Sequence, residues 1–118
     1  AYMWVLVDKI ASAVGVDKVT VYREAIKQIP GNSEIVCVRE EAVEKLIRGW
    51  EHNGIGWLTE TMPSKLPGCV NVVLYYGSST YDTAQMSKLI DHIVYEAKQL
   101  GIETLTPAEL ERMKAQWQ

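Results

Sequence analysis

The chain has no phenylalanine, two cysteines, two histidines, four prolines and no surplus of positive charge. Two cysteines as far apart as Cys37 and Cys69 build neither a zinc site nor a disulfide scaffold. They read as reduced strand residues of a cytoplasmic protein, with a single bridge as the alternative. Neither His52 nor His92 stands at a metal-ligand spacing, so no metal and no cofactor are expected. No apolar run approaches the ~18 residues of a membrane span, and no signal peptide precedes the first helical pattern. A P-loop, a nucleophile elbow, a paired-carboxylate signature and a nuclease motif are all missing. The expectation is a protein that is not an enzyme, with no catalytic residues.

What is present is an ordinary globular composition: 118 residues, 47% hydrophobic and 23% charged. That length excludes a (β/α)₈ barrel and suits one domain, residues 1–118, that folds without metal or disulfide staples. The chain opens at Ala1 without an initiator Met, so it is expected to be truncated at its N-terminus. Four Trp and six Tyr give rings that suit interfaces as well as cores. Fifteen acidic against twelve basic residues give a net charge of −3. Residues 1–39 hold five basic and four acidic groups, and the rest of the chain is acidic. A nucleic-acid site must therefore be a local patch.

Periodicity predicts helices over 2–14, from Asp17 to about Ile29, over 40–51, over 82–100 and from Pro107 to about Trp117. Asp17 and Thr106 are cap residues, the latter in the box Thr106-Pro-Ala-Glu109. Ile35–Val38, Trp57–Thr61 and Val70–Tyr76 read as strands, and Met62 to Gly68 as a loop. Without a regular βαβ rhythm, this is a compact α+β domain of about five helices and a sheet of three or so strands.

Residues 9–28 fit a helix-turn-helix, with Gly15 at the turn and Lys18, Thr20 and Arg23 toward a major groove. The same residues fit an ordinary αα-hairpin. Arg23 and Lys27 are i,i+4 neighbours on the second helix, with Lys18 loosely aligned. Gly77-Ser78-Ser79-Thr80 leads from the strongest strand into the longest helix, where hydroxyls and helix N–H groups could hold phosphate. Its alternative is a plain turn capped by Thr80 or Asp82. His92 beside Asp91 could form a general-base pair, although adjacent helical residues diverge. Trp4 and Trp50 fall on core stripes, and Trp57 and Trp117 are freer to stack bases or cover a partner. The two apolar flanks of the first helix, together with Trp117, predict a homodimer.

Three stretches carry a family likeness: Ala1-Tyr-Met-Trp-Val-Leu-Val-Asp-Lys-Ile10, Val70-Asn-Val-Val-Leu-Tyr-Tyr-Gly-Ser-Ser-Thr-Tyr-Asp82 and Leu100-Gly-Ile-Glu-Thr-Leu-Thr106. Together they resemble the NinB (Orf) family of phage recombination proteins, in the version found in prophages of Gram-positive bacteria. Gly77, Ser79 and Thr80 match that family's strand-end Gly-x-Ser-Thr, and Gly101 matches the glycine after its long helix. Residues 39–69 differ from the coliphage members, which also carry basic residues where this chain has Tyr81 and Asp82. The resemblance implies an intertwined α+β homodimer in a bacterial host cell that binds DNA, preferably single-stranded. It implies an accessory role without catalysis, beside a phage recombinase or a single-strand-binding protein. Lys18, Arg23, Lys27, Ser79 and Thr80 are the expected DNA contacts. The alternative is a helix-turn-helix regulator using residues 9–28.

Overall fold

The computed structural model describes residues 2–116. Their order is α1 (Tyr2–Val14), α2 (Lys18–Lys27), β1 (Ser33–Arg39), α3 (Glu40–Glu51), β2 (Thr59–Pro63), β3 (Cys69–Tyr75), the 3₁₀ turn Ser78–Thr80, α4 (Thr83–Gln99) and α5 (Pro107–Ala115). Five α-helices and a three-stranded antiparallel sheet make this an α+β fold. The chain divides into two units, residues 1–29 with 81–118, and residues 30–80.

The first unit is helical. α1 buries Met3, Leu6, Val7, Ile10 and Ala11, and α4 buries Leu89, Ile90, Ile93, Val94 and Ala97. α2 adds Tyr22, Ala25 and Ile26, and packs against both. Gly15, at φ +83°, ends α1 in a left-handed conformation that L side chains avoid. The Asp17 carboxylate then accepts a hydrogen bond from Val19 N at 2.9 Å and starts α2. Of the two expected flanks of α1, Met3, Leu6, Val7, Ile10 and Ala11 are buried within the folded chain, and Trp4 is half-buried. Val14, expected in the stripe, is 54% exposed because the helix stops there. Trp117 lies outside the described residues.

The chain turns back on α1 through Tyr2, whose hydroxyl accepts a hydrogen bond from Leu105 N at 2.9 Å. α5 follows behind its capping box, in which Thr106 Oγ1 accepts from Glu109 N and Glu109 Oε1 accepts from Thr106 N. Lys114 Nζ then reaches Asp91 of α4 at 2.6 Å.

In the second unit the strand order is β1-β3-β2, with α3 packed across all three strands. Register places Val36 opposite Val72 and Val72 opposite Thr61, with Ile35, Val73 and Glu60 in line on the other face. Val73 is buried but Ile35 is 62% exposed, since only the central strand has neighbours on both sides. β2 extends through Met62 and Pro63, which the sequence places in a loop. The Tyr75 N to Leu58 O bond fixes the alternation so that Pro63 falls at an outward-facing position of this edge strand. A missing N–H there costs no ladder bond.

Candidate nucleic-acid interface

Lys18 is the first residue of α2 and is exposed. A cleft of about 390 Å³ between α1 and α2 is lined by Trp4, Val5, Asp8, Lys9 and Lys18. The Trp4 indole is half-buried and rests against Tyr22, with ring centroids 4.8 Å apart and planes tilted by 34°. An aromatic ring held from behind, with two ammonium groups at the same cleft, suits an unstacked base and its phosphates. The Asp8 carboxylate lines the same cleft and offsets one of the two ammonium charges toward phosphate.

Arg23 is exposed on α2. Lys27, the last residue of α2, reaches Glu24 at 3.6 Å and keeps 28% of its side chain exposed. Such a solvated pair is worth ~0–1 kcal/mol, so it only lightly restrains the ammonium.

The turn before α4 departs from the phosphate-cradle reading. Ser79 and Thr80 are exposed in the 3₁₀ turn, and Thr80 Oγ1 donates to Gly77 O at 2.8 Å. The N-terminus of α4 already holds a carboxylate: Asp82 Oδ1 accepts from Gln85 N at 2.8 Å, and Gln85 Oε1 accepts from Asp82 N at 3.1 Å. An anion would meet both a fixed negative charge and an occupied N–H. Tyr81 is half-buried with its hydroxyl unpaired, and burial pushes the phenol's pKa up, with Tyr22 adding to the shift.

No family model, curated protein or solved structure matches the chain. The residues therefore speak for themselves. Gly77 has a packing role, since a Cβ there would stand 2.5 Å from Trp57 Nε1. Trp57, expected to be free for stacking, packs edge-on against Trp50 and Tyr76 at 5.1 and 5.7 Å. Trp50 is fixed by its Nε1–H bond to Tyr75 O at 2.8 Å. The His92–Asp91 pairing does not occur. His92 lies 3.8 Å from Glu96 one turn on, and Asp91 holds Lys114. His52 caps the C-terminus of α3.

Among the described residues no group of three or more His, Cys, Asp or Glu side chains could hold a metal ion. No helix there is long and apolar enough to cross a membrane. Cys37 and Cys69 are free thiols on one sheet face, diagonal across the β1–β3 ladder, and Cys37 Sγ lies 3.5 Å from Ser64 Oγ.

β1 is an edge strand of the sheet. Tyr76 N donates to Asn32 O and Glu40 N to Gly68 O, so the even-numbered residues of β1 face β3. Ser33, Ile35, Cys37 and Arg39 then turn their N–H and C=O groups away from the sheet. The strand has no proline, its charged residues Glu34 and Arg39 lie toward its two ends, and Ile35 is exposed between them. The sequence hid the Trp4–Lys9–Lys18 grouping by placing Trp4 on a core stripe. A possible signal was that Lys9 and Lys18 flank the same helical corner.

Proposed function

We propose that this protein is a non-catalytic accessory factor of phage-type DNA recombination, of the NinB (Orf) kind. It binds single-stranded DNA as a homodimer in the bacterial host cell, beside a recombinase or single-strand-binding protein. The observation that carries the reading is the cleft in which Trp4, Lys9 and Lys18 converge. Trp4 takes a base on its free face, and the two lysines with exposed Arg23 neutralise about three phosphates. The β1 edge, with Ile35 exposed along it, supports pairing with a second copy. Ser79 and Thr80 contribute at most single hydroxyl contacts, because Asp82 occupies the helix end.

Fluorescence anisotropy of a labelled single-stranded oligonucleotide at several salt concentrations tests this. Three phosphates give weak binding with a log–log salt slope of about −2 per subunit. Lys9→Ala with Lys18→Ala removes two of them and brings the slope near −0.7, equally for all base sequences. Unchanged binding by the double variant would remove the cleft from the reading. Loss confined to one duplex sequence would favour a helix-turn-helix regulator.

A further inference from the structure

A second concavity in the helical unit has a different chemistry. It encloses about 530 Å³ between α1, α2 and α4, within the ~300–1,000 Å³ usual for small-molecule sites. Trp4, Lys9 and Lys18 do not line it. Val14, Val16, Val21 and Ile93 form apolar walls. Val14 and Val16 remain 54% and 43% exposed, so valine surface faces an open hollow.

The charged lining is one-sided. Glu24 and Glu96 line the hollow with His92, and no Lys or Arg does. Lys27 draws on Glu24 from outside the lining at 3.6 Å, and His92 lies 3.8 Å from Glu96. The hollow thus presents two carboxylates beside a hydrocarbon floor. We infer that it binds a small organic cation, an ammonium carried on a compact hydrocarbon body. The body fills the space between the valines and Ile93, and the ammonium lies toward Glu24 and Glu96. An anion of the same shape meets two like charges, and a neutral analogue gains only the apolar contact.

Three probes of one shape separate these terms: 1-adamantylammonium, 1-adamantanol and 1-adamantanecarboxylate, titrated into the whole chain at low salt and followed by methyl NMR. The ammonium compound shifts the methyls of Val14, Val16, Val21 and Ile93 and saturates. It binds about tenfold or more tightly than the alcohol, and the carboxylate does not saturate. Glu24→Gln with Glu96→Gln, both at exposed positions, leaves alcohol binding intact and brings the ammonium compound down to the same affinity. The inference fails if the alcohol or the carboxylate binds as well as the ammonium compound. It fails equally if the shifts fall outside the hollow, if nothing saturates, or if the double variant keeps the preference for the cation.

Discussion

Gly77 lies under the indole of Trp57 so closely that a Cβ would stand 2.5 Å from Nε1 and 2.7 Å from Cδ1. Nothing flexible can yield, because Trp57 is itself set edge-on against Trp50 and Tyr76. Gly77→Ala must therefore push the ring and loosen the three-ring cluster, at a cost of about 1–3 kcal/mol. Urea unfolding followed by tryptophan fluorescence should show a lower midpoint with little change in slope. A midpoint equal to the parent's would mean that the ring does not rest on the glycine.

Asp82 is the N-cap of α4, and its carboxylate satisfies Gln85 N. Asp82→Ala should cost about 1 kcal/mol, and Asp82→Asn much less, since asparagine keeps the acceptor. Hydrogen exchange at Gln85 and Met86 should quicken in the alanine variant only. Equal exchange in both variants would deny the cap its role.

Glu109 gives α5 a pH dependence. Its backbone and side-chain hydrogen bonds with Thr106 hold the carboxyl below the ordinary glutamate range. A depressed folded value means that the stabilisation is complete above the unfolded pKa and is lost as pH falls through the folded one. Amide exchange in the first turn of α5, taken relative to the intrinsic rate at each pH, should rise below about pH 4. Glu109→Gln should flatten that rise, and a profile identical to the parent's would contradict the capping box.

The two thiols should differ in reactivity. Cys37 is exposed, whereas Cys69 is half-buried and its pKa is raised by desolvation and by the hydrogen bond with Cys37. Iodoacetamide near pH 8 should therefore modify Cys37 first, because the thiolate is the nucleophile. Cys37→Ser should alter the Cys69 rate. Mass spectrometry showing Cys69 modified ahead of Cys37 would reverse the assignment.

The edge position of β1 predicts a dimer broken by charge. Ile35→Lys places an ammonium on the strand at its most exposed apolar position. Light scattering should give twice the 13.3 kDa chain mass for the parent and the single-chain mass for the variant. A parent that is already monomeric at micromolar concentration ends this reading.

Helix bounds were the most legible part of the fold. α3 matches its expected span, and α1, α4 and α5 start at their expected caps or first turns. Apolar spacing and capping residues are local signals, complete within a turn or two. β2 was less legible, because Pro63 reads as a loop until the facing of the strand is known. The site was the least legible. Helical spacing does not show that Lys18 lines a cleft with Lys9 and Trp4, or that Trp57 packs in a ring cluster.

The sequence by itself determined the five helices, the caps of α2 and α5, two of the three strands to within about two residues, and the class α+β. It could do so because dihedral preference, apolar period and end-capping act between residues one turn apart. Only the tertiary structure decided that Trp57 lies over Gly77, that Asp91 meets Lys114 and His92 meets Glu96, and that Trp4 shares a cleft with two lysines. These pairings depend on helix crossings and strand register, which are set by burying whole faces at once and leave little trace in the spacing of any two residues.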